Sequence, residues 1–156
     1  MNKIRAVLLV LFISFVIMQL FRPARNQNRQ ILNSDITRIY SIPVNLQGVL
    51  RTSCYDCHSN NTHYPWYAAI QPVSGWMAAH IEEGKAELNF SEFGNYSTRK
   101  QLSKLKAIAG SLEDGTMPLS SYTWLHKDAI LSKEDEAMIL HWVKQTRDSI
   151  SLKNKR

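Results

Sequence analysis

The sequence predicts an all-α domain behind an apolar N-terminal helix. Three observations predict it. Apolar residues recur at helical spacing in four stretches, no stretch alternates convincingly with period two, and one apolar run stands at the start.

The run spans Ala6 to Phe21 and is broken only by Ser14 and Gln19; Lys3 and Arg5 precede it and Arg22 follows. A cleaved export signal ends in small residues of the Ala-x-Ala kind. This run ends in Gln19-Leu20-Phe21-Arg22-Pro23, so residues 1–21 are expected to be an uncleaved signal-anchor, with residues 4–21 as a transmembrane helix. Its apolar run measures roughly 24 Å at about 1.5 Å per residue, against a hydrocarbon core of roughly 30 Å. Ile4, and snorkelling by Arg5 and Arg22, narrow that gap.

Residues 22–43 read as a polar linker, from Arg22-Pro23-Ala24-Arg25 to Ser41-Ile42-Pro43, and residues 44–150 as the domain proper. A first helix is expected from Val44 to about Cys54, with Leu46, Val49 and Leu50 on one face. A second opens at Pro72 and carries Trp76, Met77, His80 and Ile81. A third runs from about Thr98 to Asp114, with Leu102, Leu105, Ile108, Ala109 and Leu112 inward and Gly115 as its stop. The last begins at Ser132, with Glu134 and Asp135 in its first turn and Ala137, Met138, Ile139, Trp142 and Val143 on its apolar face. The connecting loops are long for a tight bundle unless something fills the middle.

The net charge of +6 resides at the N-terminus. Lys3, Arg5, Arg22, Arg25 and Arg29 lie in the first 29 residues with no acid, leaving 14 basic and 13 acidic side chains beyond them. The body of the chain has no basic stripe, and no nucleic-acid partner is expected.

Only two cysteines exist, three residues apart in Cys54-Tyr55-Asp56-Cys57-His58. A disulfide across two intervening residues constrains almost nothing. Two thiols on one helical turn can each add to one vinyl group of a haem, and the next histidine then lies beneath the iron. Cys-x-x-Cys-His therefore reads as a covalent attachment site for one haem c. A zinc site needs further ligands, for which only His63 or His80 offer themselves. A thioredoxin-type pair expects a βαβ setting that is missing here.

The second axial position separates electron transfer from ligand binding. Met117 is the candidate distal ligand, in Asp114-Gly115-Thr116-Met117-Pro118-Leu119 between two helices, where Pro118 restricts the backbone. Met77 and Met138 read as core. His80 is the alternative distal ligand, or a buried histidine, or a donor to a propionate. His63 follows His58 too closely to reach the far face, and His126 and His141 read as surface or supporting residues. Four tryptophans (Trp66, Trp76, Trp124 and Trp142), with Tyr64, Tyr67 and Tyr122, could wall a haem pocket or simply fill a core.

These residues also carry a resemblance. Cys54 to Thr62, Tyr64-Pro65-Trp66-Tyr67, Pro72-Val73-Ser74 with Trp76, and His80-Ile81 with Glu83-Gly84 resemble the haem-binding domain family found mainly in Bacteroidetes. Leu88-Asn89-Phe90-Ser91-Glu92, Met117-Pro118-Leu119 and Ser121-Tyr122-Thr123-Trp124 with His126 agree, as does Gln19 with Phe21-Arg22-Pro23. The resemblance implies a cytochrome-c-like haem domain exported at a bacterial inner membrane; it implies no reaction.

The combined expectation is a membrane-anchored, periplasm-facing cytochrome with one haem c, held by Cys54, Cys57, His58 and Met117. It would carry single electrons to membrane redox complexes or other electron-transfer proteins, and is not expected to be an enzyme. The alternatives are a peroxidase or small-ligand sensor with an open sixth position, and a haem subunit of a larger membrane complex.

Overall fold

A computed structural model describes residues 2–154. Eight α-helices follow in order: α1 (Lys3–Met18), α2 (Ile36–Ile39), α3 (Val44–Leu50), α4 (Asp56–His58), α5 (Val73–Glu87), α6 (Thr98–Glu113), α7 (Ser120–Leu125) and α8 (Lys133–Lys153). A π-helical turn over Arg51–Tyr55 joins α3 to α4, and 3-10 turns cover Trp66–Ala69, Phe90–Asn95 and Lys127–Ala129. Among the described residues the only β feature is an isolated bridge between Gln27 and Asn61. The all-α expectation holds.

Local chemistry sets the helix ends. Pro72 stands at the N-cap of α5. Ser97 caps α6 by accepting from the Lys100 amide. Gly115, at φ 63°, follows the end of α6 in the left-handed region that glycine enters without a Cβ clash. Ser132 and Asp135 form a reciprocal capping box at the start of α8.

The core forms where α6 and α8 pack together and α3 closes against α8. Leu46, Leu50, Phe90, Phe93, Leu105, Ile139 and Val143 are its buried centre. Each such side chain contributes about 1.5–3 kcal/mol by leaving water. Trp142 belongs to this core, and its indole N–H donates to the Ser41 carbonyl at 3.1 Å.

The expected transmembrane anchor is corrected. Among the described residues no helix is long and apolar enough to cross a membrane. The helix stops at Met18, short of the expected Phe21, because the next residues are engaged by the domain. The Gln19 side chain pairs with the Gln71 backbone in both directions, at 2.9 and 3.3 Å. The Gln71 amide in turn donates to the Phe21 carbonyl at 2.5 Å. The signal-anchor over residues 4–21, and the inner-membrane, periplasm-facing location drawn from it, therefore lose their support.

The stretch expected as a linker packs against the domain. Ile36 is fully buried, and Asp35 and Ile42 are buried beside it. Asn26 and Asn28 hydrogen-bond the Ser59–Thr62 loop. Domain structure thus begins well before residue 44.

Candidate functional site

The helix carrying Leu46 and Leu50 widens into the π-turn, which contains Cys54, and returns to α-geometry at Asp56. Such local widening is frequent at functional sites. Cys54 and Cys57 are free thiols, both partly buried. Burial pushes the Cys54 thiol up to about 12, with the neighbouring Cys57 charge adding to it. Burial likewise raises Cys57 to about 11, helped by Asp56.

His58 is the last helical residue before the chain turns extended at Ser59. Its Nδ1 lies 2.8 Å from the Gly84 carbonyl and 3.1 Å from that of Leu88. Carbonyls only accept, so Nδ1 carries the proton and Nε2 keeps its lone pair. Metal-bound histidines are oriented in this way. The Phe90 ring meets the imidazole edge-on at 6.4 Å and stacks with Tyr55 at 5.0 Å.

Two interactions fix this turn. The first is the close approach of α5: a Cβ at Gly84 would lie 2.8 Å from the Cys57 carbonyl oxygen, so only glycine fits without a shift. The second is a buried polar network behind the turn. The Asn60 backbone N–H donates to Ser91 Oγ at 3.1 Å, while the Asn60 side chain accepts from Asn89 Nδ2 at 2.9 Å and donates to Glu92 at 3.0 Å. Thr62 Oγ1 donates to the Asp56 carbonyl and accepts from Asn26.

Two adjoining clefts open beside the turn, of about 230 and 340 Å3. Cys54, His58, Met117 and Pro118 line both. The smaller has aliphatic walls, including Leu50, Leu88, Ile108, Leu112, Leu131 and Ile139, with Phe90. Its charged lining residues, Glu87 and Lys104, pair at 3.1 Å. The larger is also lined by Cys57, Asp56, His80, Gly84 and Tyr122. Met117 is 40 % exposed, on the loop between α6 and α7.

The structure thus brings Cys54, Cys57, His58, Met117 and His80 to one place. His80 Nδ1 is 3.0 Å from the Trp76 carbonyl, and its ring lies 4.4 Å from the Trp76 ring. His63 and His141 are exposed, whereas His126 sits between Tyr67 and Tyr122. The tryptophans do not wall these clefts: Trp66 and Trp124 are exposed and Trp142 is in the core. Aliphatic side chains do that work instead. Sequence reasoning missed the Gly84 and Leu88 carbonyls, which no side-chain pattern marks.

The donor set suits a haem better than a bare metal ion. Two thiols one turn apart, an imidazole with a free Nε2, and an apolar cleft match the edge, iron and faces of a haem. Among the described residues no group of three or more His, Cys, Asp or Glu side chains could hold a metal ion, which leaves the zinc reading without ligands. The raised thiol pKa values run opposite to those of exchange-active cysteines.

Residues 13–145 match the family described as a haem-binding domain, and the chain belongs to that family. No curated protein and no solved structure matches it.

Proposed function

We propose that this member of the haem-binding domain family holds one haem c covalently and passes single electrons between electron-transfer proteins. The observation that carries the reading is the pairing of His58 Nδ1 with the Gly84 and Leu88 carbonyls, one residue beyond the second of two cleft-lining thiols.

In this reading Cys54 and Cys57 would hold the haem through thioethers formed by addition of each S–H across a vinyl group, which needs no oxidant. His58, its ring set by the carbonyls, would offer Nε2 to the iron. Met117 would offer its thioether as a further ligand, with His80 the alternative on the same cleft. The aliphatic walls exclude water, which favours the less charged state of a bound redox centre. Lys104, which lines the smaller cleft and pairs with Glu87, would suit a propionate carboxylate on exchanging that partner. The bound haem supplies the iron, which cycles between ferric and ferrous.

A second reading is a peroxidase or small-ligand sensor with an open or easily vacated sixth position. The exposure of Met117 favours it over a permanently closed site.

The test is an absorption spectrum and a haem-stained denaturing gel of the chain expressed with a cytochrome c maturation system. A sharp c-type α-band with haem retained on the denatured chain supports attachment. A correctly matured but colourless protein sinks the reading. Carbon monoxide then separates the two functions: rapid, complete binding to the ferrous protein favours the open site, and resistance favours electron transfer.

A further inference from the structure

The loop bearing Met117 is tethered at both ends. On its α6 side, the amides of Thr116 and Met117 both donate to the Ser111 carbonyl, at 2.9 and 3.3 Å. On its α7 side the Leu119 carbonyl accepts from the amides of Tyr122 and Thr123 at 3.0 Å each, starting α7 directly behind Pro118.

Tyr122 then reaches away from its own helix. Its hydroxyl donates to Asp56 Oδ2 at 2.8 Å, and lies 3.3 Å from the Thr52 carbonyl. Asp56 stands between the two cysteines, and its other oxygen accepts from the His63 amide at 2.8 Å. The Tyr122 ring is itself held: the His126 imidazole stacks on it at 4.2 Å, and Tyr67 fixes His126 through a 3.0 Å contact to Nε2.

We propose that the Tyr122–Asp56 hydrogen bond straps the Met117 loop to the Cys54–His58 turn, making Tyr122 a positioning residue for the distal side of the cleft. The inference rests on the haem reading above, but the strap itself is a property of the protein chain. The hydroxyl and carboxylate come from segments 66 residues apart, and the same hydroxyl makes a longer contact to the Thr52 carbonyl in the π-turn. A hydrogen bond to a charged acceptor is stronger than a neutral one. Its acceptor sits within the segment that binds the haem edge, so the loop takes its position from the haem-bearing turn and not only from α6. The Met117 sulfur is thereby kept at the cleft rim before any bond to iron forms.

The test uses the full chain with haem attached, as the parent, Tyr122→Phe, Asp56→Leu and the double variant. Tyr122→Phe removes only the hydroxyl. Asp56→Leu also frees the His63 amide but leaves the hydroxyl its longer contact to the Thr52 carbonyl, so what the two single variants share is loss of the Tyr122–Asp56 bond. Two quantities are read: hydrogen exchange at the Thr116 and Met117 amides, and carbon monoxide affinity of the ferrous protein. Each single variant is expected to speed exchange by about tenfold or more, the effect of losing a hydrogen bond to a charged group. Each is also expected to bind carbon monoxide more tightly per covalently attached haem, with haem content measured for every variant. The double variant goes no further than the singles, because both remove one interaction. Exchange at the parent rate in both single variants overturns the strap. If the parent itself binds carbon monoxide freely while the variants still exchange faster, the strap stands and Met117 ligation falls. Should Tyr122→Phe not fold, Asp56→Leu alone carries the exchange measurement.

Discussion

The two segments proposed to face the haem are held by opposite means. The Cys54–His58 turn is part of a continuous helical run from α3, backed by the core and clamped by α5. Its imidazole meets two carbonyls, and the loop after it is tied through Asn60 to Asn89, Ser91 and Glu92. The Met117 loop rests on one carbonyl behind it and one tyrosine ahead, with Met117 itself partly exposed at the clefts it lines. One side is held by many contacts and the other by a few hydrogen bonds. In the proposed redox reading, this would make His58 the more rigidly placed donor and Met117 the more adjustable one.

The largest expected effect is at the two thiols. Cys54→Ser with Cys57→Ser is expected to abolish haem retention on a denaturing gel, and either single change to leave one thioether. If the double variant keeps its haem through denaturation, covalent attachment by these residues is wrong.

Next in size is Gly84→Ala. The added Cβ meets the Cys57 carbonyl oxygen at 2.8 Å, backbone against backbone, with no flexible end to yield. Overpacking of this kind costs about 1–3 kcal/mol, which lowers the melting temperature by several degrees. Gly110→Ala, with open space around it, is the control and is expected to leave the melting temperature unchanged or raised. Equal effects at the two glycines would remove the clamp from the argument.

Asn89→Ala removes a buried donor to Asn60 and is expected to cost about 1–3 kcal/mol in chemical denaturation. Met117→Ala, by contrast, is expected to leave stability within about 0.5 kcal/mol, as an exposed position does. Its effect appears in the spectrum, as loss of the ferric charge-transfer band of thioether-ligated haem and gain of carbon monoxide binding. A parent protein without that band would show that Met117 is no ligand.

The smallest effect concerns pH. In the haem-free chain both thiol pKa values are raised, chiefly by burial. A raised folded-state value means that stability is complete below the unfolded thiol value of 9.0 and declines as pH climbs toward about 12. Alkylation of folded, haem-free protein is accordingly expected to keep accelerating above pH 9, where an unfolded control levels off. A plateau near neutrality would mean activated thiols and would reopen the redox-pair reading.

Legibility in the sequence followed the range of the interactions. Gly115 ending α6 and Ser132 opening α8 were visible because caps are local. The attachment turn was visible for the same reason. Its carbonyl partners at Gly84 and Leu88 were not, since a backbone acceptor has no side-chain signature. The true end of α1 depended on Gln19 meeting Gln71, 52 residues away, and hydropathy alone overran it by three residues. Helix α7 is six residues long, too short for a period to show. Tyr122 could be read as an aromatic wall, but not as a donor to Asp56, because only folding brings them together.

Gly84 and Leu88 follow His58 by 26 and 30 residues. During synthesis from the N-terminus, the attachment turn therefore exists before its acceptors do. Without those acceptors nothing would fix which nitrogen the imidazole presents. In the proposed haem reading, exposure of the cysteines and choice of the ligating nitrogen would thus depend on different lengths of chain, the second requiring residues up to Leu88.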